Sequence, residues 1–151
     1  MRYPAIDDDM QKRLRQYSDK GGRLIVSGQY ISSDLQDMRS DAADRKFAAE
    51  VLGLQPADTI VSNSGRIRDR AGHKLEYSNT LNRNTYIVEN PDVLTPNPDA
   101  DTETILTFDN GLAAGINVRR GKSKVTVMSI PFEAITNPDS RDSLMKSLLS
   151  K

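Results

Sequence analysis

Apolar positions recur at helical spacing near both ends of the chain and in short unbroken runs between them. Asp7, Asp8 and Asp9 suit the positive end of a helix, and Met10, Leu14 and Tyr17 then form one apolar stripe. Gly21 and Gly22 end that helix, because glycine takes the left-handed conformation at little cost. The run Arg23-Leu24-Ile25-Val26-Ser27 is short, β-branched and bracketed by glycines, which predicts a buried strand. Ser32, Ser33 and Asp34 are cap types ahead of a short helix over 35–38. Asp41 caps a longer one over 42–52, with Phe47, Val51 and Leu52 apolar and Gly53 as its stop.

The middle of the chain is more polar. Residues 59–61 and 85–88 read as short strands, and 65–70 with 74–77 as a hairpin turning at Ala71-Gly72. Residues 91–101 hold three prolines and no periodicity, which predicts a loop. Strands over 104–108 and 112–118 flank the turn Asp109-Asn110-Gly111, and 124–130 is a second core strand. Asn137-Pro138-Asp139 opens the last helix, with Leu144, Met145, Leu148 and Leu149 as its expected buried face.

Helix, glycine pair and buried strand together predict a three-layer α/β fold with parallel core strands and an antiparallel hairpin region. Only the strands near Leu24 and Val125 read as core, fewer than a doubly wound sheet needs. The expectation is a single domain over 1–151 whose first strands lie upstream, in a longer protein of which this chain is a C-terminal part; the alternative is a small mixed sheet.

The 151 residues suffice for one core. Twenty-one basic and twenty-one acidic residues balance, which gives no electrostatic reason to expect a nucleic-acid partner. No apolar run is long enough for a membrane span, and the start lacks the apolar core of a signal peptide. With no cysteine, disulfides, thiolate metal sites and thiol catalysis are excluded. Arg66, Arg68 and Arg70 alternate as a solvated strand face.

The segment Tyr17-Ser-Asp-Lys-Gly21-Gly22-Arg-Leu-Ile-Val-Ser-Gly28 resembles the helix, glycine pair and apolar strand of flavodoxin-like domains related to class I glutamine amidotransferases. Val125 to Ile135, with Pro131-Phe132-Glu133, and the following Arg141 to Met145 resemble the closing strand, turn and helix of the same domain. The pairing is also similar to the terminal region of bacterial proteins named xanthan lyases. The matched segments cover about a third of the chain. The resemblance implies a flavodoxin-like fold, a periplasmic or extracellular setting, and a parent protein acting on polysaccharide. The family's amidotransferase chemistry needs a cysteine nucleophile, which this chain lacks.

Three residues stand as catalytic candidates. Ser27 occupies the strand end where the nucleophile would stand, although Ile25 and Gln29 replace the glycines of a G-x-S-x-G elbow. Tyr30 follows the same strand end, and Glu133 follows the second core strand, where α/β sheets place their crevice. Asp34 lies near that edge, with helix capping as its expected role; a pairing with Glu133 would suit glycosidic chemistry. The sole histidine, His73, sits in a hairpin turn, a poor place for a rigid base. Asp99, Asp101 and Glu103 alternate but lack the calcium-loop pattern, and no phosphate loop is present, so neither a metal nor a cofactor is expected.

The functional expectation is a non-catalytic accessory or assembly domain of a larger secreted carbohydrate-active protein. Its expected partners are the rest of the parent polypeptide, a second copy, or polysaccharide. The alternatives are a hydrolase or lyase domain with a pocket at the C-terminal strand ends, and an interaction module that pairs through an exposed sheet edge.

Overall fold

Apolar runs and turn residues assemble a mixed sheet covered on both faces. A computed structural model describes residues 6–38, 40–56, 63–80 and 87–150. The expected strand over 59–61 and the first two residues of the one over 85–88 lie outside the described residues.

The order of elements is α1 (Asp8–Asp19), β1 (Arg23–Ser27), α2 (Ile31–Gln36), α3 (Ala42–Glu50), β2 (Leu54–Gln55), β3 (Arg66–Asp69), β4 (Lys74–Glu76), β5 (Thr95–Pro96), β6 (Asp101–Phe108), β7 (Ala113–Arg120), β8 (Ser123–Met128) and α4 (Pro138–Leu149). A single 3-10 turn, Phe132–Ala134, precedes α4. Six strands form one curled sheet in the order β1-β8-β7-β6-β3-β4, and β2 and β5 make a separate pair. The fold is mixed α/β. The expected parallel character is confined to one pair, β1 with β8, which are the two strands that read as core. The other pairings in the large sheet are antiparallel. Tight turns explain this: β3–β4, β6–β7 and β7–β8 are hairpins, and a short turn reverses the chain.

Leu14, Leu24 and Val26 join Leu35, Phe47, Ile116, Val118, Val125 and Val127 in the cluster beneath α1–α3. On the opposite face Ile25, Met128, Ile130 and Leu106 meet Leu144 and Leu148 of α4. The register shifts twice here: Ile105 is an extra residue in β6 and Ala114 an extra residue in β7, and both Ile105 and Leu106 are buried. Such a bulge bends and twists its strand, in keeping with the curl of the sheet.

Several local expectations change. Met10 and Tyr17 are exposed, and Gln11 and Ser18 form the buried face of α1. Polar contacts dock this helix: Gln11 Nε2 donates to Asp44 Oδ1 at 2.7 Å, and Ser18 Oγ donates to Ser123 Oγ at 3.1 Å. Tyr17 instead covers Gly22, where an added Cβ would lie 2.3 Å from its ring. Helix α2 starts at Ile31, so Ser32, Ser33 and Asp34 lie within it rather than before it. The proline-rich segment is not wholly loop, since Thr95 and Pro96 form β5 against β2. In α4, Leu149 is exposed while Leu144 and Leu148 are buried.

The expected stops hold. Gly21 has φ +88°, its N–H donates to Ser18 O and that of Gly22 to Tyr17 O, both at 2.9 Å, a Schellman termination of α1. Asp41 and Asp44 form a reciprocal capping box on α3. Asn137 caps α4, with Pro138 in its first turn.

Candidate functional site

Strand β1 delivers Ser27 to its C-terminal end, and the turn after β8 delivers Glu133 nearby in the fold. The Ser27 hydroxyl oxygen accepts the N–H of Phe132 at 3.3 Å, so the serine ties strand to turn. Glu133, next along the chain, is exposed and its carboxylate makes no hydrogen bond among the described residues. Tyr30 stands at the N-cap of α2, half-buried, without a capping side-chain bond. Its carbonyl accepts from Asp34 N and Ser33 Oγ. Asp34 therefore does not cap α2. Asp92 does so from a distant segment: its Oδ2 accepts the N–H of Ser33 at 2.8 Å. That bond satisfies one of the open donors in the first turn.

Sequence reasoning also missed Gln29. It is buried, its Oε1 accepts the N–H groups of Glu89 and Asn90 at 3.0 and 3.3 Å, and its carbonyl accepts Asp92 N. A polar residue after a strand carries no signal of a partner sixty positions on. The same clamp that holds Asp92 for α2 thus lies directly beside Ser27 and Tyr30.

His73 belongs to another part of the molecule. It lies in the β3–β4 turn, with its N–H 2.9 Å from Asp69 Oδ1 and its Nδ1 3.0 Å from Asp69 Oδ2. In the sheet order β3 is four strand steps from β1, at about 4.8 Å per step. Serine and histidine are therefore not assembled as nucleophile and base. Arg66, Arg68 and Arg70 are exposed as expected; Arg66 faces Asp109 at 3.6 Å and Arg70 pairs with Glu103. Of the acidic triplet considered for calcium, Glu103 is thus engaged by Arg70. A different group, Asp8, Asp41 and Asp44, brings carboxylate oxygens within 4.8 Å of one another. Two helix starts meet there, and capping and dipole attraction account for the acids.

A groove of about 490 Å³ runs between α4 and the β3–β4 hairpin. Its lining includes Asn117 of β7, Ser140, Ser143 and Ser147 of α4, and Leu75 and Ile105. His73 and Asp69 belong to its rim; Ser27, Tyr30 and Glu133 do not line it. Tyr77, just after β4, is buried, and burial raises its pKa above the usual phenol value. Compared with protein-family models and with curated proteins, the chain matches none.

Proposed function

We propose that this chain is a non-catalytic accessory or assembly domain whose sheet is continued across β1 by strands of a longer parent polypeptide. One observation carries the reading: β1 is an apolar strand left at an edge. Its five residues are all only partly buried, whereas β8 beside it is almost wholly buried. Gly28 N donates to Met128 O, and strand groups alternate in direction. Leu24 and Val26 therefore turn their backbone toward β8, and Arg23, Ile25 and Ser27 turn theirs to the open side. No described strand pairs there. Natural edge strands are short, charged or covered, and Leu24-Ile25-Val26 is neither charged nor proline-guarded.

Added strands would give β1 the buried, central position its sequence suits, as in a three-layer flavodoxin-like domain. The bond from Phe132 N to Ser27, and the place of His73 across the sheet, favour the non-catalytic reading over a hydrolase or lyase. A secreted parent acting on polysaccharide rests on the resemblance alone.

Hydrogen exchange tests the proposal. The amides of Ile25 and Ser27 should exchange freely in the 151-residue chain and become protected in the parent polypeptide. Equal, fast exchange in both overturns it. Protection that grows with concentration of the isolated chain also overturns it, since the edge would then pair with a second copy.

A further inference from the structure

The β6–β7 turn sets an amide side chain beside an unhindered backbone nitrogen. An asparagine loses its amide when the backbone nitrogen of the next residue attacks its side-chain carbonyl, so the neighbour governs the rate. Among the asparagines of the sequence, only Asn110 is followed by glycine. Asn90, Asn97 and Asn137 precede prolines, whose nitrogen carries no hydrogen to give up. Asn63 is held by bonds to Val88 O, Glu89 O and the Tyr77 hydroxyl. Asn117 is buried and precedes the branched Val118.

Asp109, Asn110 and Gly111 form the loop of a tight hairpin. Phe108 N–H closes it onto Leu112 O at 2.8 Å, and Gly111 N–H donates to Phe108 O at 2.9 Å. Asn110 and Gly111 are exposed, and nothing lies within 4 Å of a Cβ added to Gly111. The Leu112 N–H donates to Asn110 Oδ1 at 3.0 Å. This bond has two effects. It folds the side chain back over its own backbone, as in an Asx-turn, so Asn110 Cγ and the Gly111 nitrogen belong to one hydrogen-bonded ring. It also places a donor on the oxygen where negative charge develops when Cγ is attacked. The bond from Gly111 N–H to Phe108 O acts against the reaction, because the attacking nitrogen must release its proton. A single bond at an exposed loop tip opens locally at small cost.

We propose that Asn110 is a site of spontaneous deamidation in the folded chain. The Gly111 nitrogen loses its proton and bonds to Asn110 Cγ. The bond from Cγ to Nδ2 breaks, ammonia leaves with that proton, and a five-membered succinimide is closed. Water then opens either ring carbonyl, which gives aspartate or isoaspartate. Both products put a new carboxylate beside Asp109, which faces Arg66 of β3 at 3.6 Å. Isoaspartate also adds a methylene to the main chain of the loop and so loosens the bonds that close it. The turn does not depend on what covers β1, so this inference and the proposed function can fail separately.

Incubation of the 151-residue chain at mildly alkaline pH, followed by peptide mapping with mass spectrometry, tests this. Conversion at Asn110 ahead of every other asparagine is expected, with isoaspartate among the products and a rate that rises with pH. Hydrogen exchange on the same samples should show β6 to β8 protected at the start, with Phe108 and Leu112 exchanging faster in the isoaspartate form. Gly111→Ala should slow conversion about tenfold, a barrier increase of about 1.4 kcal/mol, because its methyl group hinders the attacking nitrogen. If that variant fails to fold, Asn110→Gln replaces it; its side chain must close a six-membered ring and should stay intact over the same time. Four results overturn the proposal: an intact Asn110 in the folded chain while the urea-unfolded chain converts, aspartate without isoaspartate, faster conversion at another asparagine, or an unchanged rate in the variant.

Discussion

Gly53 shows how much one hydrogen atom in place of a methyl group can decide. It ends α3 with φ +64°, and an added Cβ would lie 2.7 Å from Val118 Cγ2. Gly111 has a similar φ, +83°, but nothing within 4 Å of its would-be Cβ. Alanine at Gly111 should therefore cost only the left-handed backbone term, about 1 kcal/mol. Alanine at Gly53 adds overpacking against a buried strand and should cost about 2–4 kcal/mol in total. Urea denaturation of the two variants checks the difference; equal losses would mean that Val118 moves aside freely. Tyr77 gives a pH signature at the same scale. Its folded pKa is raised, so the stability linked to its neutral form is complete below pH ~10, the unfolded value, and is lost as pH rises through the folded value. Tyr77→Phe should flatten the alkaline limb of a plot of stability against pH.

Among the elements, α2 is the one most dependent on distant help. It has six residues and no capping side chain of its own at Tyr30, and Asp92 supplies the acceptor. Asp92→Ala should cost about 1 kcal/mol, the usual loss for a cap, and hydrogen exchange should locate the loosening in 31–36. Comparison of the elements with their sequence signals shows where local chemistry suffices. Gly21-Gly22, the Asp41 box, Asp109-Asn110-Gly111 and Asn137-Pro138 each act within a few residues, and each is visible in the chain. The buried face of α1 is not visible, because Gln11 and Ser18 are buried by hydrogen bonds to Asp44 and Ser123, far along the sequence. The same holds for Asp92 on α2, for β5 among prolines, and for Asn117, which resembles any polar residue in an amphipathic strand. Of the candidate residues, the position of Ser27 at a strand end was legible, but its bond to Phe132 was not.

At the scale of the whole molecule the sheet has two unlike sides and two unlike ends. One face carries three helices, the other α4 and the long groove. One end is a charged hairpin, β3–β4, with exposed Arg66, Arg68 and Lys74, a well-guarded edge. The other end is β1, apolar and half-buried. This asymmetry sets the open edge at one end of the sheet and the guarded hairpin at the other.

The single parallel pair has a kinetic consequence. β6, β7 and β8 are joined by tight turns and can pair after closing short loops. β1 meets β8 only when the chain closes on itself: Ser123 Oγ reaches Gly22 O across 101 residues, and Arg23 reaches Ser150 O across 127. Loop-closure entropy delays such contacts and slows folding. The meander of β6 to β8 should form early, and the N-terminal helix and strand should dock last. The strand that completes the fold is thus the one that remains open for longest, whether to the rest of a longer chain or to premature association with another molecule.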